Sequence, residues 1–217
     1  MTQPIRVDIV SDVVCPWCIV GYRQLQQASE ATGIPVETYW HPFELNPDMA
    51  PEGENLRDHI MRKYGSTPEQ STKARENMQN IGAPLGITFS FGDDSRIYNT
   101  FAAHQLLHWA QTEGRAQDLK LALFDAYFAR ARDVSDLAVL VDVAASIGLD
   151  KDEAQAVLKD GRFADMVREK ETFWTSRGVS GVPTMIFDAK HATSGAQGVK
   201  MFEQILEQLS PAGTKTG

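Results

Sequence analysis

The sequence has very few thiol groups: of its 217 residues only two are cysteines, Cys15 and Cys18, so all thiol chemistry is confined to four positions. It also has no continuous apolar run near the roughly 18 residues that a membrane-spanning helix needs. Basic residues are fewer than acidic ones, with 21 Lys and Arg against 29 Asp and Glu. The resulting net charge of -8 argues against nucleic acid or an anionic membrane as a partner.

The opening of the sequence also lacks the pattern of a secretory leader. The opening residues, MTQPIRVDIVSDV, have no basic region followed by a long apolar stretch, and strand-like alternation begins within a few residues of Met1. We therefore expect a soluble, cytoplasmic protein. The length and a hydrophobic fraction of 42% are typical of one large domain, or of one domain interrupted by another.

The first 45 residues predict a βαβ unit. A strand is indicated at Ile5 to Val10, a helix begins at the cysteines and ends at Gly33, and a second strand follows in IPVETYWHPF. Strand, helix and strand of these lengths imply parallel pairing with a right-handed crossover.

The middle of the chain predicts helices almost throughout, and strands return only after GVSGVP, at TMIFD and HATSG, before a last helix at VKMFEQILEQL. Without the helical block, the remaining elements form the minimal thioredoxin plan. The predicted fold class is therefore α/β, a thioredoxin fold with a large inserted all-helical domain. The predicted boundaries are 1–45 for the first thioredoxin-like part, 46–177 for the helical insertion and 178–217 for the second thioredoxin-like part, a ββα unit.

Three uses of the cysteine pair are considered. A structural disulfide is disfavoured in the cytosol, and closing a loop of about four residues removes little unfolded-state entropy. A zinc site needs two more ligands, which His104 and His108, one helical turn apart, could supply. A Cys-x-x-Cys pair at the start of a helix that follows a strand favours a redox centre, so we expect no metal.

A redox centre sets conditions on the geometry of the pair. Pro16 suits the first helical position, which makes Cys15 the N-cap, with its sulfur facing the free N–H groups of Trp17 and Cys18. The helix terminus stabilises an anion by about 0.3–2 kcal/mol. This stabilisation lowers a thiol pKa from about 8.5 to a value no lower than about 7. Cys15 is therefore the predicted nucleophile, facing solvent with a moderately lowered pKa. Cys18, one turn along and covered, is the predicted resolving cysteine.

Five stretches make the chain recognisable as a whole. They are DIVSDVVCPWCIVG, WHPFELNPDMAPEG, NTFAAHQLLHWA, GVSGVPTMIF and SGAQGVKMFEQIL, and they span nearly the full length. With them the chain resembles the DsbA-like branch of the thioredoxin superfamily. Within that branch it is most similar to the FrnE-like group, relatives of the 2-hydroxychromene-2-carboxylate isomerases and kappa-class glutathione transferases. The resemblance implies that Pro16 and Trp17 form the dipeptide of a redox-active dithiol.

The resemblance also implies a substrate-binding loop. It makes the bond before Pro183 cis and places this loop against the cysteine pair. The backbone of the loop, at Val182, Pro183 and Thr184, would then pair with an extended substrate.

Four further residues are implied to line the cleft between the inserted helices and the thioredoxin core. Asn99 and His104 match the Asn-Thr…Ala-His element of the family, and His41 and Phe43 follow at the end of the second strand. Structural roles explain the first two equally well, Asn99 as a helix cap and His104 as a hydrogen-bonded residue at a domain boundary.

The function expected from these features is thiol–disulfide exchange through a mixed disulfide, with no bound cofactor and with glutathione as a candidate co-substrate. The partner would be a protein or small molecule that carries a disulfide or thiol, and a homodimer is compatible with the family. The alternatives are a glutathione-dependent isomerase or transferase of small aromatic or polyketide-like molecules, and a non-catalytic binding module. The isomerase and transferase relatives have serine where this chain has Cys15, which favours thiol–disulfide exchange here.

Overall fold

The N-terminal part of the chain forms the expected βαβ unit. The computed structural model describes residues 3–50 and 52–210. Strand β1 (Ile5–Ser11) leads to helix α1 (Pro16–Thr32) and then to strand β2 (Val36–Pro42), which pairs with β1 in parallel. Helix α1 ends where the sequence predicts, because Gly33 has a positive φ of 67° that terminates the helix in a left-handed turn.

The C-terminal part completes the sheet. Strand β5 (Thr184–Phe187) pairs antiparallel with β1, and β6 (His191–Ser194) pairs antiparallel with β5. The four strands therefore lie in the order β2-β1-β5-β6, a mixed sheet. Helix α9 (Val199–Leu209) packs beside α1 and buries Phe202 and Leu206. The predicted thioredoxin plan is confirmed.

In residues 43–50 and 52–183, the described part of the chain between β2 and β5, seven α-helices follow one another. They are α2 (Leu56–Tyr64), α3 (Pro68–Gly82), α4 (Phe101–Thr112), α5 (Ala116–Phe124), α6 (Leu137–Ser146), α7 (Lys151–Asp160) and α8 (Ala164–Thr175). A two-stranded ladder of β3 (Glu54–Asn55) with β4 (Arg96–Ile97) was not expected, because strands of two residues carry no periodic pattern. A short π-helical stretch, Asp125–Ala129, extends α5.

Local capping explains where several of these helices begin. The Thr67 side chain accepts from the backbone of Gln70, and the Gln70 side chain accepts from the backbone of Thr67, with Pro68 at the first helical position. Before α7, the Asp150 carboxylate accepts from the backbone N–H of Glu153 at 2.8 Å. Each such cap stabilises its helix by about 1 kcal/mol.

The helical insertion shares one hydrophobic core with the sheet. Helices α5 and α8 pack against β2, and the Trp40 ring of β2 lies 6.1 Å from the Phe124 ring of α5. None of the helices in the described ranges has the length and apolar character to cross a membrane. The α/β fold with a helical insertion is confirmed. The boundaries at 45/46 and 177/178 stay predictions, and residues 1–2 and 211–217 of the outer segments lie outside the described residues.

Candidate active site

The two cysteines lie at the start of α1, directly after β1. Cys15 is the N-cap residue, with extended backbone at φ −89° and ψ 111°, and Pro16 occupies the first turn of the helix. The backbone N–H of Cys18 donates to the carbonyl of Cys15 at 3.1 Å, so the second sulfur follows within one turn. Both cysteines are free thiols. The predicted N-cap position of Cys15 is confirmed.

The surroundings of the pair differ from the expectation. Cys15 is 4% exposed and Cys18 is fully buried, whereas Trp17 between them is 40% exposed. The prediction that Cys15 faces bulk solvent is therefore wrong. Helices α2 and α3 stand over the tip of α1, and Cys15 lies instead on the wall of a cavity of about 350 Å³ between that tip and the helical insertion.

The ionisations of the two thiols are coupled. A hydrogen bond with Cys18, together with burial, raises the pKa of Cys15 well above its ordinary value, because a second ionisation would set two negative charges side by side. Burial also raises the pKa of Cys18, but the hydrogen bond from Cys15 and the positive charge of Lys120 outweigh it and lower that pKa. The predicted lowering of the Cys15 pKa is therefore contradicted, and Cys18 is the thiol of the pair whose pKa is lowered.

The loop before β5 contacts the first cysteine. The Val182–Pro183 peptide bond is cis, as the resemblance implies. Sγ of Cys15 lies 3.6 Å from the Val182 carbonyl oxygen, and the hydroxyl of Thr184 donates to the Gly181 carbonyl at 2.8 Å within the loop. The expected position of this loop against the cysteine pair is confirmed.

Lys120 lies beneath the dithiol and was not expected there. Its side chain is 1% exposed, and Nζ lies 5.2 Å from the centroid of the Trp40 ring and 5.0 Å from that of the Phe124 ring. Burial lowers the pKa of Lys120 to about 8, against the opposing charges of Cys18 and Asp12. The aromatic faces and these anions are what hold a cation in the core.

Asp12 is the carboxylate of this buried cluster. It is 1% exposed, and Oδ2 accepts from the backbone N–H of Leu45 at 2.8 Å. His104 Nε2 lies 3.4 Å from Oδ1 and 3.1 Å from the carbonyl of Phe43, a geometry in which the carbonyl is the better partner. Burial raises the pKa of Asp12, but His104, the Leu45 N–H and Lys120 together lower it. Asp12 therefore remains the fixed negative charge beside the dithiol.

None of the four residues expected to line the substrate cleft lines the cavity beside Cys15; they are Asn99, His104, His41 and Phe43. The amide oxygen of Asn99 accepts from the backbone N–H of Phe101 at 2.9 Å, which caps the start of α4. His104 and Phe43 hold each other at the boundary between sheet and insertion. The structural roles considered for Asn99 and His104 fit this geometry.

His41 is hydrogen-bonded to a separate carboxylate, that of Asp8. Its Nε2 lies 2.7 Å from Oδ1 of Asp8, and its ring packs 4.8 Å from that of Trp174. Burial lowers the pKa of His41 more than Asp8 raises it, so the imidazole is neutral at physiological pH. This pair joins the edge of the sheet to α8.

The histidines proposed as zinc ligands do not converge on the cysteines. His104 bonds to Phe43, and His108 lies 3.1 Å from Nζ of Lys170. Across the ranges 3–50 and 52–210, no three or more His, Cys, Asp or Glu side chains form a group that could hold a metal ion. The zinc interpretation therefore gains no ligands from this structure.

A family model and a solved structure each match nearly the whole chain. The family model of the DSBA-like thioredoxin domain matches residues 6–207. A probable DsbA oxidoreductase from Streptomyces coelicolor is similar at 36% identity, with 94% of this chain and 89% of that chain covered and a TM-score of 0.88.

Two more distant structures share the fold. A 2-hydroxychromene-2-carboxylate isomerase matches at 17% identity over 94% of this chain and 95% of its own, with a TM-score of 0.68. The cytosolic disulfide reductase DsbM from Pseudomonas aeruginosa, solved with GSH, matches at 17% identity over 94% and 98%, with a TM-score of 0.64.

Proposed function

Because the chain belongs to the DSBA-like thioredoxin domain family, we propose that it is a thiol–disulfide oxidoreductase that works through Cys15 and Cys18. The observation that carries the proposal is the pair of free thiols at the start of α1, with Sγ of Cys15 3.6 Å from the Val182 carbonyl of the cis-proline loop. An enzyme of this class needs one sulfur that a substrate can reach and a second that only the first can reach. Cys15 on the cavity wall and Cys18 in the core meet that requirement.

The first step of the proposed reaction forms the nucleophile. As substrate enters the cavity, the proton of Cys15 passes along the hydrogen bond to Cys18, and the negative charge moves to the outer sulfur. The Cys15 thiolate then attacks one sulfur of the substrate disulfide. A new S–S bond forms between Cys15 and the substrate, the old S–S bond breaks, and the other half of the substrate leaves with the electron pair as a thiolate.

The second step releases the enzyme. Cys18 gives its proton to the first substrate thiolate and attacks Sγ of Cys15, the bond between Cys15 and the substrate breaks, and the second substrate thiolate leaves. The net result is an enzyme disulfide, one substrate thiol and one substrate thiolate, with two electrons and one proton transferred. Lys120 stabilises the Cys18 thiolate that this step requires, since its charge lowers the Cys18 pKa.

Regeneration of the dithiol needs a reductant, for which we propose glutathione in the cytoplasm. Two molecules of reduced glutathione would return the two electrons and leave as oxidised glutathione. Support for this choice comes from DsbM, a relative of the same fold that was solved with GSH.

A glutathione-coupled assay tests the proposed function. Purified protein is added to hydroxyethyl disulfide and reduced glutathione, and oxidised glutathione is followed through glutathione reductase and NADPH. Wild-type protein should accelerate the reaction, and Cys15→Ser should abolish the acceleration, because no accessible thiol remains. Wild-type protein without acceleration, or Cys15→Ser with the wild-type rate, would refute the proposal. Circular dichroism confirms that the variant is folded.

A further inference from the structure

The cavity beside Cys15 has the size and the walls of a small-molecule site. Its volume of about 350 Å³ lies at the lower end of the range for drug-sized ligands. Most of its wall is apolar and includes Val14, Leu56, Ile60, Met78, Phe91 and Ile97. A disulfide on a folded protein would need helices α2 and α3 to move before it reached a sulfur that is 4% exposed.

The charges around this cavity are of one sign. Three basic residues line it, His59, Lys63 and Arg75, and among the described residues of its wall none is Asp or Glu. This is notable in a chain with a net charge of -8. Two of the three are paired outside the wall, His59 with Glu54 and Arg75 with Asp93.

Lys63, an exposed side chain at the cavity, has no acidic partner within salt-bridge distance among the described residues. Its Nζ donates to the backbone carbonyl of Leu45 at 3.0 Å and to the amide oxygen of Asn46 at 2.8 Å, both of them neutral acceptors. These bonds hold the ammonium group at the cavity without neutralising it. An anionic group in the cavity would complement it.

Ser71 provides an independent sign of a ligand. It is 2% exposed, it lines the cavity from α3, and its hydroxyl has no hydrogen-bond partner within the described part of the chain. Its backbone N–H is already bonded to the carbonyl of Thr67 within the helix. Since an unpaired buried hydroxyl costs about 1–3 kcal/mol, a polar ligand atom that bonds to it would recover that cost.

We propose that the disulfide substrate of this enzyme is a small organic molecule with an apolar body and an anionic group. Its body lies between α2 and α3, Ser71 bonds to one of its polar atoms, Lys63 pairs with its anion, and its disulfide meets Cys15. Low-molecular-weight aromatic disulfides that carry a carboxylate have this chemistry. The inference rests on the proposed thiol–disulfide exchange and adds the substrate class.

Single-turnover kinetics with two probes test the inference. Reduced protein is mixed with excess dithiobis(nitrobenzoate), which is anionic, or dithiodipyridine, which is neutral, and the released chromophore gives the half-saturating concentration of each. Lys63→Gln should raise the ratio of the anionic to the neutral half-saturating concentration about tenfold, as expected for a lost charge-assisted contact. Lys73→Gln removes the same charge from an exposed position on α3 outside the cavity wall and should leave the ratio unchanged. Ser71→Ala should raise the half-saturating concentration of the anionic probe about threefold, with the limiting rate unchanged.

The outcomes separate this inference from the function on which it rests. Lys63→Gln with the wild-type ratio, the same change of ratio in Lys73→Gln, or no saturation by either probe in an active wild-type protein would overturn the substrate class. Wild-type protein that reacts with neither probe and fails the glutathione-coupled assay would overturn the proposed function itself.

Discussion

The charge on Lys120 should cost stability and provide reactivity at the same time. Replacement by methionine keeps an apolar side chain that is one atom shorter, and it removes the charge beneath the dithiol together with its cation–π contacts with Trp40 and Phe124. Lys120→Met therefore tests whether a buried cation stabilises the thiolate. In Lys120→Met, stability and activity should therefore change in opposite directions.

The change in stability follows from the pKa of Lys120. In the folded protein it falls from an ordinary 10.5 to about 8, and one pKa unit corresponds to about 1.4 kcal/mol, so the charged side chain costs the folded state roughly 3 kcal/mol at neutral pH. Below pH 8 this cost is present in full. Between pH 8 and 10.5 the unfolded chain binds more protons than the folded one, so wild-type stability rises with pH across that window.

Lys120→Met should lose this rise and be about 2–4 kcal/mol more stable at pH 7. Urea unfolding followed by circular dichroism at a series of pH values measures both effects.

The change in reactivity concerns the first thiol proton to leave the pair. Without the opposite charge of Lys120, the pKa for that ionisation should rise, which reduces the fraction of thiolate at neutral pH. Ultraviolet absorbance of the thiolate gives this pKa directly, and the exchange rate should fall with it. Lys73→Met is the matched control at an exposed position. A Lys120→Met protein that is less stable than wild type and retains the wild-type thiolate pKa would refute the reasoning.

Two further substitutions test other parts of the account. Burial, together with the neighbouring Glu171, raises the pKa of Glu44 to about 7 from an ordinary 4.5, so the contribution of Glu44 to stability should be greatest below pH 4.5 and decline as pH rises to 7. Glu44→Gln should flatten this decline in pH-dependent urea unfolding, and an unchanged profile would contradict it. A Cβ at Gly21 would lie 3.1 Å from Cε of Met185 and 3.4 Å from Cγ of Pro183. Gly21→Ala should therefore displace the end of the Met185 side chain and press on Pro183, slowing exchange, while the helix preference of alanine offsets the crowding so that stability changes by less than about 1 kcal/mol; a wild-type exchange rate would show that the loop tolerates it.

The thioredoxin plan could be predicted from sequence because each of its features is local. The alternation in β1, Pro16 after the N-cap and Gly33 at the end of α1 specify their own structure within a few residues. The cysteine spacing is local in the same way. The cis bond before Pro183 could not be derived from such a pattern, and it was expected only from the resemblance.

The environment of the cysteines could not be predicted because distant segments create it. Lys120 reaches Cys18 from α5, more than a hundred positions along the chain. Its one sequence signal is its place between Leu119 and Leu121 and four residues before Phe124, on a helix face that is otherwise apolar. The burial of Cys15 depends on how α2 and α3 stand over α1, and one sequence contains no pattern for that arrangement.

Substrate should react only with Cys15, although Cys18 is the thiol whose pKa is lowered. The most direct measurement compares Cys18→Ser with Cys15→Ser, each of which keeps one sulfur, and follows formation of the mixed disulfide with dithiodipyridine by mass spectrometry. Cys18→Ser should form a stable one-to-one adduct, and Cys15→Ser should form its adduct about a hundredfold more slowly because its sulfur lies in the core. Equal rates in the two variants, or a faster reaction at Cys18, would contradict the account.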